Sequence, residues 1–98
     1  MMSGFIYLEM INEIRSVCSN HVAGLVTAAD VQRSIQRGEM TITAVKESDI
    51  QRFLTDIEGQ LELVKFTVDD DRQFQETQKI ARHVLAWLAE REVNKAVR

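Results

Sequence analysis

Cysteine, glycine and long apolar runs are all scarce in this chain of 98 residues. The single cysteine, Cys18, excludes an internal disulfide framework. The four glycines stand apart from one another, so they form no glycine-rich loop that could hold a phosphate. No stretch approaches the roughly 18 consecutive apolar residues that a membrane-spanning helix needs. These absences argue against a disulfide-rich, a phosphate-loop or a membrane-spanning protein.

The chain also lacks the excess of positive charge that would let it coat a phosphate backbone. Its formal net charge is -3 and its pI is about 5.3. Residues 46–73 carry four basic and eight acidic side chains, whereas residues 74–98 carry five basic and three acidic ones. Any basic face is therefore expected on the C-terminal part of the chain.

The bulk composition predicts one domain that covers residues 1–98. An apolar content of 45% and a charged content of 28% are close to globular averages, and a chain of this length has room for one modest core. The N-terminal sequence MMSGFIYLEMINEIRS has no basic region before its apolar residues, unlike a secretory signal. With its single cysteine, the chain is predicted to be intracellular, either cytoplasmic or nuclear.

Helical periodicity predicts two helices in the first part of the chain. The first covers about residues 5–19, where apolar residues recur at helical spacing. Thr27 is the predicted N-cap of the second helix, because Asp30 follows three residues later as in a capping box. Gly38 is the predicted C′ residue at its end.

Two further helices are predicted in the second part of the chain. Ser48 and Gln51 have the spacing of a capping box, and the helix that they open is expected to end at Gly59. The three acids at positions 69–71 favour a helix start, and a long helix is predicted over about residues 70–94.

Two segments alternate between apolar and polar residues and are predicted as β-strands. These are MTITAV at residues 40–45 and LELVKFTV at residues 61–68. The predicted fold is therefore α+β, in the order helix, helix, strand, helix, strand, long helix. The side chains expected in its core are Ile14, Phe53, Leu54, Phe66, Leu85 and Leu88.

The residues that could carry chemistry are few. Cys18 and His21 are three apart, but His83 is the only other histidine and there is no second cysteine, so a zinc site is not expected. The acids at positions 69–71 do not begin a calcium loop, because Phe74 stands where the loop requires glycine. The sequence predicts a protein that is not an enzyme and has no catalytic, metal or cofactor site.

The stretch from about Thr27 to Val68 resembles a winged-helix domain. It contains VTAADVQRSIQRG, the short segment MTITAV, the capped helix KESDIQRFLTDIEGQ and then LELVKF at the wing position. In the order of its helices and strands, this stretch resembles the winged-helix modules of the RNA polymerase III subunit that contacts initiation factors. The resemblance implies a recognition helix over residues 48–58 and partners related to transcription.

Two functions are predicted, and they belong to different classes. The first is a non-catalytic protein-interaction or assembly module that self-associates or docks through its C-terminal helix. Ile80, Val84 and Trp87 lie at i, i+4 and i+7 and would form the docking stripe, unless the first helix covers that stripe within the same chain.

The alternative is a dimeric winged-helix transcriptional regulator that binds DNA. Its contacts with nucleic acid would come from basic and amide side chains, since these recognise phosphates and base edges. The candidate residues are Arg33, Arg37, Lys46, Gln51 and Arg52. The acidic net charge favours a protein partner over DNA.

Overall fold

The fold is built from α-helices. A computed structural model describes residues 5–96, and side chains as far as residue 94. The helices are α1 (Leu8–Val22), α2 (Ala28–Thr41), α3 (Ser48–Thr67) and α4 (Asp70–Ala96), with one turn of 3₁₀-helix at Val45–Glu47 before α3. Residues 5–96 contain no β-strand, so the predicted α+β fold is wrong.

The four long helices form an up-and-down bundle. Each helix packs mainly against two neighbours, so that α1 and α3 both contact α2 and α4. Neighbouring helices are antiparallel, because residues of rising number in one meet residues of falling number in the next. The side-chain bonds between helices show this: Gln32 with Glu62 and Gln36 with Glu58 for α2 and α3, and Val22 with Gln78 and Arg15 with Glu92 for α1 and α4.

The predicted second strand is the C-terminal part of α3. Ile50, Leu54, Ile57 and Leu61 are all buried, and their spacing of i, i+4, i+7 and i+11 continues one helical stripe through Gly59. A glycine inside a helix costs about 1 kcal/mol, which is less than the burial of one leucine contributes. Gly59 therefore does not end the helix as predicted.

The predicted first strand is divided between the end of α2 and the connection to α3. Met40 and Thr41 complete α2, and Ile42 is its C-cap residue, with a fully buried side chain. Val45 then begins the 3₁₀ turn and is exposed. The apolar and polar residues of MTITAV alternate because a single isoleucine, Ile42, is buried in a tight connection, and not because the segment is a pleated strand.

These corrections also remove the winged-helix architecture. A wing is a β-hairpin that follows the recognition helix, and no strand occurs within residues 5–96. The segment 48–58, which would have been the recognition helix, is the first half of α3.

The predicted capping residues and the terminal glycine of α2 were confirmed at one helix end and wrong at two others. The capping box of Thr27 and Asp30 is confirmed, with reciprocal hydrogen bonds of 3.2 and 2.9 Å. The N-cap residue of α3 is Glu47 and not Ser48, which is the first residue of the helix, and no side-chain capping bond is formed at this end, so the second capping box is wrong. Gly38 lies inside α2, where the helix approaches Ile14 and Leu54, and does not end it.

The core prediction is confirmed for half of its members. Ile14, Leu54 and Leu88 are fully buried. Phe53 and Leu85 are only partly buried against the core. Phe66 is 75% exposed, because it lies on the side of α3 that faces away from the bundle.

Candidate functional site

The predicted docking stripe on α4 lies inside the bundle. Ile80 is nearly buried and Val84 is fully buried. Trp87 is partly buried and stacks on Phe53, with ring centroids 4.0 Å apart and an interplanar angle of 5°. The broad apolar band of α4 is used within the chain, since this helix packs on both α1 and α3. These three residues therefore do not form one open face.

The five residues of the DNA-binding alternative are spread over α2, the connection and α3. Arg33 forms an ion pair with Asp30 at 3.0 Å, and Arg37 forms one with Glu13 at 2.6 Å. Gln51 donates to the backbone carbonyl of Glu39. The remaining two, Lys46 and Arg52, are exposed. Because both arginines of α2 are already paired with carboxylates, their positive charge is locally balanced.

Cys18 and His21 are both buried, but they do not form a metal centre. Burial raises the pKa of the Cys18 thiol to about 12, so the thiol stays protonated and is a poor ligand and nucleophile. The ring nitrogens of His21 lie 2.9 Å from the carbonyl oxygen of Val26 and 3.4 Å from that of Phe74. Among the described residues, no three His, Cys, Asp or Glu side chains are grouped so that they could hold a metal ion.

A cleft of about 160 Å³ opens between α2, α3 and α4. The amides of Gln32 and Gln73, which line it, already donate to acceptors within the chain. Its remaining lining includes Ala28, Ala29 and Val64, so the cleft presents mainly apolar surface.

One surface that the bundle leaves open is the side of α3 that points away from the core. Arg52, Asp56, Gly59, Leu63 and Phe66 lie at i, i+4, i+7, i+11 and i+14, and all five are exposed. We call this stripe the outer face of α3. Leu63 is 63% exposed and Phe66 is 75% exposed. Both lie at the C-terminal end of the stripe, where they form an apolar pair three residues apart.

Gly59 forms a notch in the outer face of α3. It has no positive φ angle, and a Cβ atom added to it would meet nothing within 4 Å. Neither the backbone conformation nor packing within the chain requires glycine there, although glycine destabilises a helix interior by about 1 kcal/mol relative to alanine. The notch allows another chain to approach the backbone of α3 closely.

Charged groups lie on the outer face of α3 and next to it. Lys65 reaches towards the apolar pair, with its Nζ atom 5.7 Å from the centroid of the Phe66 ring. Asp56 lies on the N-terminal side of Gly59 and accepts a hydrogen bond from Gln60 at 2.9 Å. A cation therefore lies beside Phe66, and an anion lies beyond the notch.

Sequence reasoning missed this face because it divided α3 into a helix and a strand. The helical spacing from Arg52 to Phe66 was the available signal, but it is visible only if the helix is continued through Gly59.

The whole chain matches no protein-family model, no curated protein and no solved structure. Within residues 5–96, each helix is too short or too polar to cross a lipid bilayer. The surface and its chemistry are therefore the basis for assigning a function.

Proposed function

We propose that this protein is a non-catalytic helical binding module that contacts a protein partner through the outer face of α3. The observation that carries the proposal is the exposure of Leu63 and Phe66 on one stripe of a helix whose opposite stripe fills the core. The docking surface is thus assigned to α3 and not to the C-terminal helix.

The energetic reason is the apolar area that these two side chains leave in water. Burying a leucine or phenylalanine side chain contributes about 1.5–3 kcal/mol, and neither residue contributes this to the fold. Aromatic residues are also common anchors in protein interfaces. A partner that covers both side chains would gain the burial energy that the bundle does not use.

The notch at Gly59 favours a helix as the contacting element. An amphipathic helix places apolar side chains every three or four residues, which matches the spacing of Gly59, Leu63 and Phe66. Small residues at a helix contact let the two backbones come close together.

The chemistry of the remaining groups supports a binding role over a catalytic one. The Cys18 thiol has a pKa of about 12 and is buried, so it does not supply a thiolate nucleophile. A free thiol also agrees with a reducing, intracellular compartment, which we include in the proposal. A role in transcription was implied only by the winged-helix resemblance, so the proposed function does not include it.

A photo-cross-linking experiment tests the proposed surface. A benzoylphenylalanine probe replaces Thr67, which is exposed beside Phe66, and the control probe replaces Arg82, which is exposed on α4. In extracts of the native host, the probe at position 67 should give adducts of discrete mass that are lost with Phe66→Ser. Mass spectrometry identifies the attached chain.

Either of two results would contradict this function. One is that both probe positions give the same adducts. The other is that the adducts from position 67 persist in the Phe66→Ser protein, because the apolar pair would then not hold the partner.

A further inference from the structure

We infer that the cleft between α2, α3 and α4 is a binding site for a small neutral molecule of the phenol type, which consists of one ring with a hydroxyl or N–H group. The cleft lies on the core-facing side of α3, and the outer face lies on the opposite side. The site is therefore separate from the proposed docking surface and adds a second binding activity to it.

The cleft has the size of a single ring. Its volume is about 160 Å³, and an apolar cavity of about 150 Å³ in a protein holds a benzene molecule. The most deeply buried residues of its lining are Leu61 and Thr77, which are 4% and 2% exposed. Ala28 and Val64 are half-buried and Lys65 is exposed, so the lining runs from an enclosed floor to an open mouth. A ring that enters the cleft is covered by apolar groups.

The hydroxyl of Thr77 is a polar group without a partner inside the described chain. Its side chain is almost fully buried and lines the cleft. Among residues 5–94 its hydroxyl forms no hydrogen bond, whereas those of Thr55 and Thr67 donate to the carbonyl oxygen four residues earlier. It is also not sealed from solvent as the unpartnered Ser34 hydroxyl is. A molecule in the cleft can therefore reach this hydroxyl and supply the partner that a buried polar group needs.

The two glutamines of the lining leave acceptors free and not donors. The amide nitrogen of Gln32 donates to Glu62, and that of Gln73 donates to the carbonyl oxygen of Val68 at 2.9 Å. Neither amide oxygen accepts a hydrogen bond from a described residue. Because an amide oxygen is an acceptor only, a ligand that bonds to it must supply a donor. A hydroxyl or N–H group on the ring meets this requirement and can also bond to Thr77.

The charges at the cleft favour a neutral ligand over an ion. Lys65 is cationic, whereas the carboxylates of Glu62 and Asp70 accept hydrogen bonds from the two glutamines of the lining. A charged molecule would therefore meet a like charge as well as an opposite one. It would also lose hydration on contact with the apolar lining, which is unfavourable for an ion. A neutral ring avoids both effects.

A titration followed by NMR tests the site and the class of ligand. Phenol is the probe, and anisole is the matched compound in which a methyl ether replaces the hydroxyl donor. We expect a Kd of about 1 mM for phenol and a Kd at least about fivefold higher for anisole, which loses one hydrogen bond. The amide signals of Ala28, Val64 and Thr77 should shift and saturate with phenol. Its ring protons should show Overhauser effects to the methyl groups of Leu61 and Val64.

Removal of one hydroxyl tests the role of Thr77. Thr77→Val keeps the shape of the side chain and should raise the Kd for phenol at least about threefold while leaving that for anisole unchanged. The variant should melt at the same or a higher temperature than the wild type, because the lost hydroxyl has no partner in the described chain. Thr55→Val, on the exposed surface of α3, is the matched control and should change neither Kd.

Filling the cleft provides a second test that does not depend on hydrogen bonding. Ala28→Leu places a larger side chain in the cleft and should raise the Kd for both compounds at least about tenfold. Ala23→Leu makes the same change at an exposed position outside the cleft and should leave both values unchanged. Circular dichroism confirms that the helices of each variant are intact.

Several results would overturn the site. One is the absence of saturable shifts with phenol at about 10 mM, and another is equal binding of phenol and anisole. Shifts centred on Leu63 and Phe66 would place the probe on the outer face of α3 instead. Tighter binding of benzoate or benzylammonium than of phenol would contradict a neutral ligand. Since the photo-cross-linking at position 67 uses the opposite side of α3, these results and those for the docking function are independent of each other.

Discussion

Arg91 is a charged residue that the fold has almost completely withdrawn from water. Its side chain is 7% exposed and lies 3.6 Å from Glu47, which is 2% exposed, and 3.1 Å from Asp49. The guanidinium also lies 5.5 Å from the centroid of the Phe5 ring. Burial acts to raise the pKa of Asp49, but hydrogen bonds from Arg91 outweigh this and lower the pKa below its usual value. The cluster ties α4 to the segment before α3.

Removing the arginine should destabilise the fold strongly. Arg91→Leu leaves the carboxylate of Glu47 buried without its cation, and breaking such a pair costs about 3–5 kcal/mol. Urea denaturation measures the loss in the free energy of unfolding. Arg37→Leu is the control, because the Arg37 side chain is 60% exposed and its pair with Glu13 should be worth less than about 1 kcal/mol. Equal losses in the two variants would contradict a special role for Arg91.

Glu39 and Glu58 form a second unusual contact, between α2 and α3. Burial raises the pKa of Glu39 to about 7, and a hydrogen bond with Glu58 adds to this rise. The same hydrogen bond lowers the pKa of Glu58. Glu39 therefore holds the proton that the two carboxyl groups share.

This pair should make the stability depend on pH. Because the pKa of Glu39 is raised in the folded chain, the stabilisation that this group provides is complete below its usual pKa of 4.5 and is lost as the pH rises through about 7. Glu39→Gln keeps a hydrogen-bond donor and cannot ionise. The variant should therefore melt at a higher temperature than the wild type near pH 8 but not near pH 4. A constant difference between the two melting temperatures, or the same effect from the exposed Glu90→Gln, would contradict this explanation.

At the scale of elements, two glycines have opposite roles inside helices. Gly38 lets α2 approach its neighbours, because an added Cβ would lie 2.8 Å from the Cδ1 atoms of both Ile14 and Leu54. Both of those side chains are fully buried and have little room to move. Gly59 has open space around it. An alanine at either position gains helix propensity, but only at Gly38 does the added methyl group collide with neighbouring side chains.

Alanine at the two glycines should therefore change stability in opposite directions. Gly59→Ala should raise the free energy of unfolding by about 0.5–1 kcal/mol through helix propensity. Gly38→Ala gains the same propensity, but overpacking costs about 1–3 kcal/mol and should leave a net loss of about 1 kcal/mol. Chemical denaturation of both variants measures the difference. A gain at Gly38 equal to that at Gly59 would show that α2 is not held close to α1 and α3.

At the scale of the whole molecule, α3 has two apolar stripes with different purposes. The stripe of Ile50, Leu54, Ile57 and Leu61 fills the bundle, whereas Leu63 and Phe66 lie outside it. The apolar residues of this helix thus divide into a set that maintains the fold and a set available for a partner.

Truncation of one residue from each stripe should show this division. Leu54→Ala should cost about 2–5 kcal/mol, because it opens a cavity in the core. Phe66→Ala should change the stability of the monomer by less than about 0.5 kcal/mol. Both are measured at low protein concentration, so that self-association does not contribute. A large loss in Phe66→Ala would mean that the phenyl ring packs against the bundle.

The sequence by itself determined where two of the helices begin and that the chain forms no internal disulfide. Thr27 and Asp30 start α2 through hydrogen bonds between residues three apart, and the aspartates at 70 and 71 lie in the first turn of α4. Such signals act over a single turn, so they can be predicted without the rest of the fold. The single cysteine excluded an internal disulfide in the same way.

Only the tertiary structure decided that residues 61–67 belong to a helix and which apolar stripes are left open. Short apolar runs fit a strand or a helix, and the intrinsic preferences differ by about 1 kcal/mol or less per residue. The packing of α3 on α2 and α4 buries Leu61 and turns Phe66 outwards, and burial of several side chains outweighs the preference of each residue. For the same reason Ile80 and Val84 became core, because α1 and α3 flank α4 on both sides.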